Sequence, residues 1–151
     1  MKKAFYLLVL IFLFLQFFQI DKVNPPVNNQ IDFLHLNKTP DTIATVIRNS
    51  CYDCHSNETT YPWYSYVQPA GWFLESHIKE GRRKLNFSMY GLYDEKRKQH
   101  KIEEAVEMVE KEKMPLDSYT MIHGNAQLTP EQRKALVEYF KYLNHNLYNN
   151  K

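Results

Sequence analysis

Two cysteines and a histidine form the group of residues with the clearest chemical potential in this sequence. Cys51 and Cys54 lie three positions apart, His55 follows directly, and the chain has no other cysteine. Two thiols with this spacing at a helix end can each form a thioether with one vinyl group of the same porphyrin, and the adjacent imidazole can then face the iron. The spacing therefore predicts one haem c per chain, attached covalently through Cys51 and Cys54, with His55 as an iron ligand.

Three other interpretations use the same residues. A thioredoxin-like dithiol also contains Cys-x-x-Cys, but it sits in a βαβ pattern, and no segment here alternates as a strand does. A zinc site needs about four ligands, so a fourth would have to come from His77, His100 or His123. A plain structural disulfide is the third interpretation. We favour covalent haem over all three.

The sixth position of the iron has several candidates. Electron-transfer cytochromes c commonly hold iron between histidine and methionine. We predict Met114, because it ends a predicted helix and precedes Pro115, so it is presented from a loop of restricted shape. Packing of the helix end is the alternative role for Met114. Met121 and His123 lie in the same loop and remain alternative sixth ligands.

Two further residues are candidates for contact with the cofactor. Arg82, with Arg83 and Lys84 beside it, is predicted to pair with the haem propionates, whose carboxylates favour charge-assisted hydrogen bonds. A solvated helix end is the alternative for this basic cluster. Trp63 belongs to an aromatic loop after the cysteines and is predicted to form a wall of the haem pocket, with ordinary core packing as its alternative.

The first residues have the composition of a targeting segment. Lys2 and Lys3 precede an apolar run from Ala4 to Ile20 that only two glutamines interrupt. A charged start followed by an apolar middle is typical of a secretory signal, and the run is close to the lower length limit of a spanning helix. We predict that residues 1–20 form an uncleaved signal anchor, a single-pass transmembrane helix of the cytoplasmic membrane. Lys2 and Lys3 then face the cytoplasm, and the rest faces the periplasm.

The remaining chain is predicted to form one all-α domain. Residues 21–38, which are rich in Asn and Pro, are expected to be a linker, and residues 39–151 the haem-binding domain. Helical periodicity and end signals predict four helices. The first starts near Thr39, with a Thr cap and Pro40 in the first position. The second spans about Ala70–Lys84 and the third about Asp94–Lys113. The fourth starts at Thr129, with a capping box to Gln132.

Several sequence blocks resemble a known family. The blocks are Cys51-Tyr-Asp-Cys-His-Ser-Asn57, Tyr61-Pro-Trp-Tyr64, Leu85-Asn-Phe-Ser88 and Lys113-Met-Pro-Leu116. Together they resemble the haem-binding domain family of bacterial membrane-anchored proteins, over about residues 25–145. The last helix also looks like the final helix of class I cytochromes c. The resemblance implies a small cytochrome c-like helical domain with a single c-type haem at the Cys-x-x-Cys-His motif.

The expected function is electron transfer rather than catalysis. No constellation of acid, base and nucleophile stands out, and a net charge of +2 gives no reason to expect a nucleic-acid partner. The expected partners are redox proteins and the membrane. One alternative is a haem peroxidase-like enzyme or a gas or redox sensor with a displaceable sixth ligand. A peroxidase would need a distal base and a charged group, which His77 and Arg82 would supply. Another is a membrane-anchored thiol-disulfide oxidoreductase without haem.

Overall fold

The computed structural model describes the backbone of residues 1–149 and the side chains of residues 1–147. The described chain is helical and contains no strand, which confirms the all-α prediction. Short 3₁₀ helices at Trp63–Tyr66, Phe87–Leu92 and Gly124–Ala126, and one π-helical turn at Arg48–Tyr52, join the α-helices. The α-helices are α1 (Lys2–Leu15), α2 (Phe33–Leu36), α3 (Asp41–Ile47), α4 (Asp53–His55), α5 (Ala70–Lys84), α6 (Glu95–Glu110), α7 (Asp117–Thr120) and α8 (Pro130–Asn149).

An aromatic cluster lies at the centre of the core. Helix α8 packs on α6 and α3, and α2 closes the core from the side of the 3₁₀ helix Phe87–Leu92. The ring of Phe33, which is fully buried, lies 5.1 Å from Phe87, 4.9 Å from Tyr90 and 6.0 Å from Phe140 between centroids. Tilted and edge-to-face arrangements of this kind favour aromatic pairs beyond the area that they bury. Phe33 therefore joins α2 to the 3₁₀ helix Phe87–Leu92 and to α8, which are distant from it in sequence.

The predicted linker is part of the domain. Residues 21–38 contain α2, whose N-cap Asp32 accepts a hydrogen bond from the Leu34 amide at 2.9 Å. The same carboxylate accepts a hydrogen bond from the Tyr52 hydroxyl at 2.9 Å. Phe33 and Leu34 are buried against the core. The Asn- and Pro-rich composition correctly indicated irregular chain before α2, but the apolar pair is ordered by core contacts that composition cannot reveal.

The helix starts show how tertiary contacts compete with local signals. Thr129 caps α8 as predicted, because its hydroxyl accepts from the Gln132 amide at 3.2 Å and the Gln132 side chain accepts from the Thr129 amide at 2.9 Å. Thr39, in contrast, does not cap α3. Its hydroxyl shares a hydrogen bond of 2.8 Å with Tyr139 on α8, and Pro40 is the N-cap residue. The long-range partner therefore replaces the local one.

The N-terminal helix is shorter than the predicted transmembrane helix over residues 1–20. Helix α1 ends at Leu15, and its 14 residues give a length of about 21 Å, below the ~30 Å of a bilayer's hydrocarbon core. Gln16 is the C-cap residue of α1, and its side chain donates to Phe12 O at 2.9 Å and to Gln68 O at 3.0 Å. Within residues 1–149, no helix combines the length and apolarity that crossing a membrane requires.

We predict that Phe33→Ala lowers the free energy of unfolding by about 3 to 5 kcal/mol, because it leaves a cavity where three aromatic rings meet. Chemical denaturation of the purified protein followed by far-UV circular dichroism measures this change. The control is Tyr142→Ala, which removes an aromatic ring that is 62% exposed on α8. Equal losses in the two variants would contradict the central position of Phe33 in the core.

Candidate functional site: the Cys-x-x-Cys-His helix end

The two cysteines and the histidine lie at the end of one continuous helical stretch. Helix α3 passes into the π-helical turn Arg48–Tyr52, which carries Cys51, and then into α4, which carries Cys54 and ends at His55. Both thiols are free and partly buried. The chain leaves the helix at Ser56 in an extended conformation. Single π-helical turns within α-helices are often found at functional sites, and this one carries the first residue of the motif.

The imidazole of His55 is held by a backbone carbonyl. Its Nδ1 atom lies 3.0 Å from the carbonyl oxygen of Leu85. Because a carbonyl oxygen only accepts, Nδ1 carries the proton and donates it, so Nε2 retains the lone pair that a metal ligand needs. Burial lowers the pKa of His55 below its ordinary value, which keeps the ring neutral at neutral pH. The ring is thus oriented and in the protonation state of an iron ligand.

The two thiols are unlike those of a thiol oxidoreductase. Burial, with the neighbouring Cys54, raises the pKa of Cys51 to about 12. Burial, with the adjacent Asp53 carboxylate, raises the pKa of Cys54 to about 11. Both thiols are therefore protonated at neutral pH, whereas a reactive cysteine has a lowered pKa. The βαβ surroundings of a thioredoxin-like dithiol are also missing from residues 1–149, since no strand occurs there.

Helix α5 approaches the motif closely at a glycine. A Cβ atom on Gly81 would lie 2.5 Å from the carbonyl oxygen and 3.2 Å from the Cβ atom of Cys54. Only glycine therefore allows α5 to lie at this distance from α4. The approach brings the end of α5 beside the motif, and Leu85, the C-cap residue, directs its carbonyl to His55. Gly81, in the otherwise helical pattern of residues 70–84, was the available sequence signal for this contact, and sequence reasoning missed it.

A buried polar network holds the loop that follows the motif. The Asn57 amide donates to the Ser88 hydroxyl at 3.1 Å, and the Asn57 side chain donates to Pro26 O at 3.1 Å. The Asn86 side chain donates to Asn57 Oδ1 at 2.9 Å. Asn57 and Ser88 are buried, and their polar atoms in these contacts are satisfied. The Asn-Phe-Ser block therefore positions the motif loop through hydrogen bonds.

The side chain of Arg82, which lies on α5, binds the same loop. Its Nε atom donates to Ser56 O at 2.7 Å, and its Nη2 atom donates to Asn24 Oδ1 at 2.9 Å and to Thr59 Oγ1 at 3.0 Å. These three bonds connect α5, the residues after the motif and the segment before α2. Trp63 is 76% exposed, and its ring packs edge-to-face on Tyr64. Arg82 is thus a positioning residue for the motif loop, and Trp63 faces solvent.

The predicted sixth ligand lies in a loop that is held by backbone contacts. The Met114 amide donates to Met108 O at 3.1 Å, and Met114 O accepts from the Arg133 guanidinium at 3.3 Å. The Met114 side chain is partly buried, whereas the alternative Met121 is 85% exposed. The loop between α6 and α7 is therefore fixed at Met114 from both neighbouring long helices.

The alternative ligand His123 takes part in a polar cluster beside the motif. Its Nε2 atom lies 2.8 Å from the Tyr64 hydroxyl, and its ring stacks on Tyr119 at 4.3 Å between centroids. The Tyr119 hydroxyl donates to the carboxylate of Asp53, which lies between the two cysteines. A cavity of about 400 Å³ lies beside the cluster and includes Asp53, Tyr119 and His123 in its lining. The cluster ties the loop after α7 to the motif.

The contacts of the described residues bear on two of the alternative interpretations. His77 Nδ1 donates to Phe73 O at 2.8 Å, and the imidazole packs at a tilt on the Phe73 ring at 4.2 Å between centroids, so its contacts differ from those of Arg82. Within residues 1–149, no group of three or more His, Cys, Asp or Glu side chains is placed to hold a metal ion. The zinc interpretation of Cys51, Cys54 and His55 therefore lacks a ligand set in the described chain.

The fold and the site define a class: a small all-α domain with a Cys-x-x-Cys-His motif at a helix end and an oriented histidine. The family model described as a haem-binding domain matches residues 10–142, and the chain belongs to this family. The matched range begins within α1 and includes residues 21–38, as expected if that segment is part of the domain. No curated protein and no solved structure matches the chain.

We predict that Gly81→Ala lowers both the stability of the domain and the yield of haem-loaded protein. The added methyl group must push α5 away from the Cys54 carbonyl, at a cost of about 1 to 3 kcal/mol typical of overpacking. Thermal denaturation and the haem-to-protein absorbance ratio measure the two effects. Gly124→Ala is the matched control, because nothing lies within 4 Å of a Cβ atom at Gly124. Similar behaviour of the two variants would refute the close approach.

Proposed function

We propose that this protein is a c-type cytochrome-like electron carrier with one covalent haem, held at the outer face of the cytoplasmic membrane. Cys51 and Cys54 form the thioethers, and His55 ligates the iron through Nε2. The observation that carries the proposal is the hydrogen bond from His55 Nδ1 to Leu85 O, next to two free thiols. It fixes the tautomer that a haem ligand requires and orients the ring before any cofactor is bound.

The chemistry of the donor set fits haem c. When bound, haem supplies one-electron redox chemistry at its iron. The chain's own residues hold it, orient the imidazole and limit the access of water. Phe87 contacts the His55 ring edge-on at 6.4 Å and stacks on Tyr52 at 5.4 Å, so an apolar layer lies behind the ligand. A low local dielectric and a fixed ligand are the conditions under which a protein tunes a haem potential.

Met114 is the proposed sixth ligand. Two features support it over the alternatives: its side chain is partly buried in a loop held by α6 and α8, whereas Met121 extends into solvent. His123 already uses Nε2 in a contact with Tyr64, and it would have to give up that contact to reach a metal. A histidine–methionine pair favours an electron carrier over a catalyst with an open position.

The contacts of His77 and Arg82 also favour electron transfer over a peroxidase-like or sensing role. Such a site needs a base and a charged group on the open side of the iron. Arg82 directs its donors to Ser56, Asn24 and Thr59, while His77 lies on Phe73. These two residues therefore give no support to a distal acid–base pair.

The proposed membrane location rests on the surface of α1. Helix α1 has no buried residue, and its large apolar side chains from Phe5 to Phe14 are exposed on all sides. An exposed apolar surface of this extent marks a site that contacts a membrane or another protein. Lys2 and Lys3 precede it. We propose that α1 anchors the protein in the membrane and that redox proteins at the outer face are its partners.

We predict that the matured protein gives the pyridine haemochrome spectrum of a c-type haem and the mass of the chain plus one haem. Cys51→Ala and Cys54→Ala each remove one thioether, so the α-band shifts toward that of a porphyrin with a free vinyl group, and the double variant loses covalent haem. Ser50→Ala, next to the motif, is the control and keeps the wild-type spectrum. A colourless wild-type protein at the mass of the bare polypeptide would refute the proposal.

We predict that Met114→Ala abolishes the charge-transfer absorption of methionine-bound ferric haem and lowers the reduction potential, since the thioether ligand favours ferrous iron. Absorption spectroscopy and redox titration measure the two changes. Met121→Ala, at the exposed methionine that follows α7, is the control and leaves both unchanged. If instead His123→Ala changes the spectrum and Met114→Ala does not, histidine is the sixth ligand and the assignment of Met114 is wrong.

A further inference from the structure

The segment after α1 is tied to the domain by paired amide contacts. The side chain of Gln16 donates from Nε2 to Gln68 O at 3.0 Å and accepts at Oε1 from the Gln68 amide at 2.8 Å. The Gln19 side chain donates to Tyr66 O at 3.2 Å. Two glutamines that interrupt the apolar run thus use their amides to bind the backbone of residues 66–68. Such pairing satisfies backbone groups that would otherwise need water.

Two more contacts and one buried side chain continue this attachment. The Trp72 indole donates to Phe18 O at 2.8 Å, and the Lys22 ammonium lies 4.2 Å from the centre of the Tyr66 ring. The side chain of Ile20 is buried, with 7% of its surface exposed. Residues 16–22 therefore form an ordered junction between α1 and the domain. A flexible linker would contact the domain at few points and would leave its orientation free.

Aromatic side chains surround this junction and are largely exposed. We define the aromatic collar as the exposed rings at or beside the junction contacts: Phe17, Phe18, Tyr66, Trp72 and Phe73. Their exposed fractions range from 37% for Trp72 to 84% for Phe17. Tryptophan and tyrosine are enriched where a membrane meets water, because one end of each ring system is apolar and the other is polar.

We infer that the aromatic collar lies in the interfacial layer of the lipid bilayer and seats the haem domain on the membrane in one orientation. The inference rests on the proposed membrane location of α1. A lipid surface is the occupant that fits, because the collar is continuous with an apolar helix that is exposed all round. Lys22 adds a cation at the same level, where it can meet lipid phosphates.

Helix α5 connects the aromatic collar to the haem-attachment cysteines. Trp72 lies near its start, and Gly81, nine residues later, touches Cys54. At 1.5 Å per residue, these positions are about 14 Å apart along the helix axis. The collar and the haem-attachment cysteines are thus connected by one rigid element. The seated domain therefore holds its haem attachment at a fixed height above the bilayer surface.

Spin labels on the full-length haem-loaded protein in phosphatidylcholine–phosphatidylglycerol vesicles test the inference. A nitroxide is attached to Phe73→Cys in the collar or to Tyr142→Cys on α8, and the native thiols are held in thioethers. The two positions are equally exposed in the protein, at 60% and 62%. We expect the Phe73 label to be accessible to oxygen and several-fold less accessible to a water-soluble nickel chelate than the Tyr142 label.

The outcomes separate the inference from the proposal on which it depends. If the protein floats with the vesicles but the Phe73 label is as accessible to the nickel chelate as the Tyr142 label, the collar inference fails. The proposal that α1 anchors the protein in the membrane is then retained. If the protein does not float, both fail. If the Phe73 label is shielded from both reagents and shows spin–spin broadening between copies, a second copy covers the collar and the inference fails.

A second variant tests the fixed orientation. Gln16→Ala with Gln19→Ala removes the junction amides and makes the segment more apolar, so anchoring is retained. We expect the variant to float as the parent does, while the Phe73 label becomes several-fold more accessible to the nickel chelate. Gln127→Ala, which removes an exposed glutamine amide elsewhere, is the matched control and leaves the label unchanged. An unchanged label in the double variant would overturn the role of the junction.

Discussion

The contact between the His55 imidazole and the carbonyl oxygen of Leu85 connects the helix end that carries the thiols to the end of α5. It depends on the close approach of α5 to α4 at Gly81, where any side chain would collide with the Cys54 carbonyl. The hydrogen bond sets the tautomer of the ring, and burial keeps the ring neutral. The rest of the domain can be understood as support for this geometry.

Polar side chains provide much of the support for the loop that follows the motif. The loop after the motif is held by Asn57, Ser88 and Asn86, and by Arg82, which binds Ser56 and the segment before α2. Buried polar groups cost free energy unless they are paired, and paired groups accept few alternative geometries. An apolar cluster around Phe33 supplies packing, whereas this network selects one conformation of the motif loop. Phe87 belongs to both, because it packs on Phe33 in the core and on the His55 ring at the motif.

Several features could be predicted because they depend on residues within about four positions of each other. Cys51, Cys54 and His55 lie at a helix end as the predicted preceding helix indicates, and the bounds of α5 at Ala70 and Lys84 agree with the helical pattern. The capping box of Thr129 forms as its sequence indicates. The haem-binding family was recognised from short blocks, and the family model confirms it over residues 10–142. The all-α class follows from the absence of alternating segments.

Other features were decided only when distant segments met. The Thr39 hydroxyl bonds Tyr139 instead of capping α3, the predicted linker contributes Phe33 to the core, and the Gln16 side chain binds the Gln68 backbone as well as Phe12 O. Each of these residues contacts a partner far along the chain, which only the folded domain brings within reach. Local sequence thus determined the position of the motif at a helix end, the main helices and the family. Tertiary structure determined which carbonyl holds His55, because that contact spans 30 residues and depends on how closely two helices pack.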